Sequence, residues 1–151
     1  MMIKIREASK SDVRAIVHNN LRLALESEGI RLDEQVVRKG VDAVISDPMR
    51  GFYLVAEDGG EIVGQCLVTP EWSDWRDGYF WWIQSVYVEK EMRNRGILSM
   101  IFERVHELAE KRGIVGIRLY VDRENMVAIS AYERLGMIKS RYLMMEGTKE
   151  S

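Results

Sequence analysis

The chain has 151 residues, 46% of them hydrophobic and 30% charged, and a formal net charge of −2. That length and balance suit a single globular domain spanning 1–151 with a sizeable core. A near-neutral charge excludes a broad basic surface for nucleic acid phosphates or anionic lipid, and no apolar run approaches the ~20 residues that span a bilayer.

Lys4 and Arg6 interrupt the first apolar stretch, unlike a secretory signal, so a cytoplasmic location is expected. Cys66 is the only cysteine, which rules out an internal disulfide and a cysteine-based metal cage. His18 and His106 lie far apart, each in a helical pattern, and no metal is expected.

In chain order, Ile3 to Ala8 reads as a strand. Ser11 or Asp12 then caps a helix with Val13, Ile16, Val17, Leu21 and Leu25 at helical spacing, ended by Gly29. Asp33 caps a second helix, stopped at Asp47-Pro48. Phe52 to Glu57 and Glu61 to Thr69 are two strands around the turn Asp58-Gly59-Gly60. A polar loop with Trp72 and Trp75 runs from Glu71 to Gly78, followed by an aromatic and β-branched strand, Tyr79 to Val88. A loop from Glu89 to Arg95 leads to a helix from Gly96 to about Arg112, whose Ile97, Leu98, Ile101, Val105, Leu108 and Ala109 share one face. Ile114 to Val121 is a strand, Asn125 to Leu135 a helix closed by Gly136, and Met137 to Met145 a last strand. The order β-α-α-β-β-β-α-β-α-β predicts an α/β domain with a mixed central sheet flanked by helices.

Two segments carry chemistry. In the first, a strand through Val86 and Val88 enters a basic turn, Arg93-Asn94-Arg95-Gly96, that opens the helix Ile97-Leu98-Ser99. The first N–H groups of a helix lack intrahelical partners and carry partial positive charge, so an anion docks there against donors already in place. The same residues also read as a solvated turn. In the second, Asn125 and Tyr132 lie about 20° apart around their helix, at the border of the apolar stripe Ala128, Ala131 and Leu135. A phenol so placed can protonate a leaving thiolate. Equally, Asn125 reads as an N-cap and Tyr132 as a core aromatic with its hydroxyl at the edge.

Together these segments resemble the two cofactor motifs of the GCN5-related N-acetyltransferases: Arg93-x-x-Gly96-x-Leu98, then Asn125-x-x-Ala128-x-x-x-Tyr132-x-x-x-Gly136-Met137. The resemblance covers nearly the whole chain. It implies the acyl-CoA N-acyltransferase fold of that superfamily, with a sheet splayed between its fourth and fifth strands and acetyl-coenzyme A in the gap. It further implies that the backbone of Val86 and Val88 pairs with the pantetheine arm. By the same token, N–H groups from Asn94, Arg95, Gly96, Ile97, Leu98 and Ser99 hold the pyrophosphate. Asn125 meets the pantetheine, and Tyr132 is the general acid of direct acetyl transfer to an amine. Many such relatives dimerise, so a homodimer is compatible with the resemblance. Leu98 departs from the pattern, standing where a small residue is expected. Trp82, placed by counting back from Gly96, stands where several relatives carry a catalytic carboxylate.

An amine near pKa 10 must lose a proton before it attacks a thioester. Carboxylates that can assist are Glu26 and Glu28 after the first helix, and Glu71 with Asp74 after the third strand. Trp72, Trp75, Trp81 and Tyr79 are expected to line the same acidic, aromatic mouth, which suits a cationic small molecule. Gln84 is expected to orient the acceptor. Cys66, inside a strand with no neighbouring base, reads as a plain buried thiol. The expected function is acetyl transfer from acetyl-CoA to a primary amine, of a small molecule rather than a protein. The alternative is a non-catalytic acyl-CoA sensor or interaction module on the same fold.

Overall fold

The computed structural model describes residues 2–147, and the chain divides into two compact units, Met1–Tyr120 and Val121–Ser151. The first contains β1 (Ile3–Glu7), α1 (Val13–Glu28), α2 (Glu34–Ser46), β2 (Phe52–Asp58), β3 (Glu61–Ser73), β4 (Gly78–Val88), α3 (Ile97–Lys111) and β5 (Gly116–Leu119). The second contains α4 (Met126–Arg134). One sheet holds the strands in the order β1-β2-β3-β4-β5. The first four run antiparallel, and β5 lies parallel to β4 after the α3 crossover.

Two expectations fail. Met137–Met145 pairs with no strand among the described residues, and Ile138, Leu143 and Met145 are exposed. Lys139, Ser140 and Arg141 separate its apolar pairs, so no single face of the segment is apolar and nothing fixes a register. Glu71 and Trp72 are not loop residues either. The third strand runs on to Ser73 and pairs with β4 through Trp72↔Tyr79 and Ser73↔Gly78, so the connection shrinks to 74–77. Pro70 is tolerated within it because β2 pairs with β3 only as far as Val68, and the strand beyond is an edge.

The two faces of the sheet follow from alternation. Tyr53 and Val55 join Val13, Ile16, Val17 and Val41 from α1 and α2 in one buried cluster. Between them, Leu54 and Ala56 face the other way, where α3 buries Ile97, Ile101, Phe102 and Val105. Gly64 belongs to that second face. A Cβ there would meet the Ile97 side chain at 3.1 Å, so glycine lets the first turn of α3 lie close on the sheet. Full burial of each large apolar side chain stabilises by about 1.5–3 kcal/mol. Cys66 is fully buried and burial pushes its thiol up to about 12, as a plain core thiol requires.

Asp12 precedes α1 without capping it through its side chain. Its carboxylate instead takes two bonds from the Arg6 guanidinium, at 2.8 and 2.9 Å, and one from the Ser9 N–H at 2.8 Å. Arg6 also donates to Glu57 at 2.9 Å, tying the start of α1 to β1 and β2. The Arg6 bonds, against the opposing effect of burial, hold the Asp12 carboxyl below its ordinary range. A carboxyl whose folded-state pKa is depressed adds stability that is complete above its unfolded value, about pH 4, and is lost as pH falls through the folded value. Asp12→Asn is therefore expected to lower Tm at neutral pH and to flatten its decline below about pH 4. Parallel acid limbs in the two proteins would remove the pair from the pH dependence.

Candidate active site

The fourth strand is paired along only half its length on one side. Its parallel partner β5 runs beside Phe80 to Ile83 and stops, leaving Gln84 to Val88 with no strand on that edge among the described residues. At the same point the strand bulges: Leu67 opposes Gln84 and Gln65 opposes Tyr87, so Ser85 and Val86 share one partner, Cys66. Ser85 takes φ +48°, a left-handed conformation that costs a non-glycine residue about 1 kcal/mol. The extra residue flips the side-chain parity, so Tyr87 faces α1 and Val86 and Val88 turn toward the α3 side. Beneath the bulge the fully buried Gln65 donates to the Ser85 carbonyl at 3.3 Å and to Asn20 at 2.8 Å, and accepts from Asn19 at 3.2 Å.

Beyond the bulge the strand enters the basic turn. Asn94 and Gly96 both have positive φ, 63° and 81°, and Gly96 is the residue before the helix. Glycine is required there by the backbone, since an added Cβ would meet nothing within 4 Å. The helical ladder begins only at Met100, whose N–H reaches the Gly96 carbonyl at 3.0 Å, and no side chain caps α3. The N–H groups of Ile97, Leu98 and Ser99 therefore face outward, available to an anion. Ile97 is buried and Leu98 half-buried, so the core anchor of this turn is Ile97.

Arg93 is not spare charge. Its Nε donates to the Val88 carbonyl at 2.9 Å and its Nη2 to Glu26 at 2.7 Å. Tyr87 donates its hydroxyl to the other Glu26 oxygen at 2.6 Å, and Arg22 donates to that hydroxyl at 3.2 Å. The Tyr87 bond, then that of Arg93, holds the Glu26 carboxyl below its ordinary range, which makes it a poor proton acceptor. Glu26 thus serves as a clamp between α1 and the end of β4, and Arg95, which is exposed, is the cation of this turn. Glu28, at the last position of α1, is exposed too.

The expected acidic, aromatic mouth is split by alternation. Glu71, Thr69, Phe80, Trp82 and Gln84 lie on the α1 face of the sheet, with Arg118 of β5 in register with Trp82. Trp72, Tyr79 and Trp81 lie on the α3 face. There Trp72 packs edge-on against Tyr79 at 5.0 Å, and Trp81 is buried against Phe52 at 5.2 Å. Trp75 sits 92% exposed in the hairpin connection, and Asp74 beside it is exposed. Trp72 and Glu71 therefore cannot serve one site on one face of the sheet. On the α1 face, Glu71 Oε1 accepts from Trp82 Nε1 at 2.5 Å and from Arg118 at 3.4 Å, and Gln84 donates to the Thr69 hydroxyl at 2.6 Å. Trp82 thus holds a carboxylate from the neighbouring strand. Sequence reading did not foresee that Trp82 and Arg118 meet Glu71, because the end of the third strand was taken for a loop.

In the second unit Asn125 is the N-cap of α4, its side-chain oxygen accepting from the Ala128 N–H at 3.1 Å. Tyr132 is half-buried, and its carbonyl closes the helix by accepting from the N–H groups of Leu135 and Met137, both at 3.0 Å. Among the described residues no helix is long and apolar enough to cross a membrane, and no group of three or more His, Cys, Asp or Glu side chains could hold a metal ion.

An antiparallel meander whose fourth strand bulges, parts from a parallel fifth and feeds a bare helix terminus is the layout of an acyl-CoA-type N-acyltransferase fold. The Acetyltransferase (GNAT) family matches residues 20–137, and the chain belongs to that family. A thialysine N-epsilon-acetyltransferase of Bos taurus is 32% identical, the match covering 89% of this chain and 83% of that one. Among solved structures, a possible acetyltransferase from Clostridium difficile 630 is 44% identical with a TM-score of 0.92, covering 98% of each chain. A predicted acetyltransferase with acetyl-CoA from Clostridium acetobutylicum shares the fold at a TM-score of 0.79 and 18% identity, covering 96% of each. The protein is an acetyltransferase of the GNAT type.

Proposed function

We propose that the protein transfers an acetyl group from acetyl-CoA directly to a primary amine of a small molecule, with the chain acting as one N-acetyltransferase domain. The half-paired, bulged β4 that runs into an uncapped helix carries this reading. Backbone groups of Val86 and Val88 offer a strand edge to the amide-bearing pantetheine arm. The Val88 carbonyl is already taken by Arg93, so the pairing there falls to the remaining groups of this edge. The N–H groups from Asn94 to Ser99 receive the pyrophosphate, with Arg95 adding charge. Asn125 spends its oxygen on the helix and keeps its NH₂ for a ligand carbonyl.

In the transfer itself the neutral amine attacks the thioester carbonyl, the C–S bond breaks, and Tyr132 gives its proton to the departing thiolate. The amine's surplus proton leaves to solvent or to a carboxylate. The curated relative named for thialysine acetylation supports a small amine as acceptor.

Calorimetric titration with acetyl-CoA is expected to give a dissociation constant in the micromolar range, weakened about tenfold by Arg95→Ala, which is about 1.4 kcal/mol. Arg93→Ala is expected to weaken binding by at least as much, because it releases both Glu26 and the end of β4. A folded protein that does not bind acetyl-CoA would overturn this proposal.

A further inference from the structure

Among the described residues, two carboxylates hydrogen-bond to side chains of β4, one on each side of the bulge. Glu26, beyond it, has both oxygens engaged, one by Tyr87 and the other by Arg93. Glu71, before it, turns Oε1 to Trp82 Nε1 at 2.5 Å and to Arg118 at 3.4 Å, and its Oε2 receives no donor among the described residues. The Glu71 side chain is 44% exposed, so water reaches that oxygen. Glu28 and Asp74 are exposed, at the end of α1 and in the connection 74–77, away from any β4 side-chain bond. Thr69 stands beside Glu71 on the α1 face, two residues along β3. Its hydroxyl oxygen accepts from Gln84 at 2.6 Å, which leaves its proton to donate elsewhere. Gln84 is the first β4 residue past the end of β5 and the last before the bulge. A polar row of Glu71, Thr69 and Gln84 therefore runs along the α1 face to the point where the strands part.

We propose that Glu71 is the general base of the transfer: its Oε2 takes the acceptor's proton through water lined up along Thr69 and Gln84, and Trp82 is the positioning residue that turns this oxygen outward. This rests on the acetyl-transfer reading above, which puts the thioester at the bulge. An amine of pKa about 10.4 is neutral in only about one molecule per thousand near pH 7.4, and a positioned base removes that handicap within the site. The protons balance. The acceptor ammonium gives one to Glu71, the nitrogen lone pair attacks the thioester carbonyl, the N–C bond forms and the C–S bond breaks. The nitrogen's second surplus proton replaces the one that the thiolate takes, and Glu71 returns its own to solvent. The surrounding charges favour the same direction. Arg118 from β5 and Arg76 from the connection 74–77 both lie over the Phe80 ring, at 3.7 and 5.9 Å, while α1 brings Arg22 and Glu26 to Tyr87 beyond the bulge. Two guanidinium groups near a bound amine disfavour its ammonium form.

The test follows acetyl-CoA consumption with L-thialysine and with cadaverine as acceptors, in the wild type, Glu71→Gln and Trp82→Phe. Glutamine keeps an oxygen for Trp82 and Arg118 and removes the carboxylate's charge and basicity. Glu71→Gln is expected to lower kcat/KM for the amine about a hundredfold near pH 7.4. Near pH 9.4 the amine supplies about a hundred times more of its own neutral form, so the deficit should shrink at least fivefold. Trp82→Phe keeps the base but loosens it, and should show a deficit of about tenfold that shrinks in the same way. Acetyl-CoA affinity is expected to stay within about threefold in both variants, which also checks that each has folded. A Glu71→Gln deficit of the same size at both pH values, or turnover unchanged by that substitution, would overturn the inference while leaving acetyl transfer standing. Should the wild type bind acetyl-CoA and acetylate neither amine, the transfer reading falls and this assignment falls with it.

Discussion

Tyr132→Phe is expected to lower kcat about a hundredfold or more while acetyl-CoA affinity stays within about threefold. General acid catalysis typically contributes a factor of about 10² to 10⁴, and this change removes the phenolic hydroxyl that would supply the proton. The ring is half-buried on α4, whose closing bonds are made by the Tyr132 backbone, so phenylalanine keeps both helix and packing. The separation of kcat from binding decides the role. A structural tyrosine would lower stability and affinity together, whereas an acid that acts only as the C–S bond breaks lowers kcat alone. Unchanged turnover removes Tyr132 from the chemistry.

Gln65→Leu should be the most damaging polar substitution in the sheet. Its side chain is fully buried and links Asn19 and Asn20 of α1 to the Ser85 carbonyl at the bulge. Leucine strands partners that lie beneath the sheet, and each unsatisfied buried polar group costs about 1–3 kcal/mol. With Asn19 itself only 2% exposed, a loss of about 3 kcal/mol is expected, and with it a fall in Tm of roughly 6–12 °C for a chain of this size. Because Ser85 is held in a left-handed conformation, loosening its carbonyl should also raise the KM for acetyl-CoA more than it lowers kcat. A melt within 1 °C of wild type would show that the bulge is held by other means.

The motif residues were legible because they answer to local rules. Gly29 and Gly96 take the positive φ that ends one helix and opens another, Asp33 and Asn125 cap by their side chains, and Asp58-Gly59-Gly60 turns a hairpin. Where a residue's partner is distant in the chain, local rules were silent. Arg93 looked like free charge beside a phosphate site, yet Glu26, 67 residues away, and the Val88 carbonyl claim it. The segment 137–145 looked like a strand from composition, but a strand exists only where a neighbour supplies its hydrogen bonds.

The sequence by itself determined the family, the order of the elements through α4 and the turn that opens toward an anion, since spacing and backbone preference act within a few residues. Tertiary structure alone decided which side chains share a face. Because β3 runs on to Ser73, the adjacent Glu71 and Trp72 point to opposite sides; a hairpin of four connecting residues, 74–77, puts Trp82 on the Glu71 side, and one extra residue at Ser85 reversed the parity for Tyr87. Strand alternation has a period of two, so a single inserted residue reassigns every side chain beyond it. No local pattern announces such a shift. The pairing of Glu71 with Trp82 and Arg118 became visible only once the register was known.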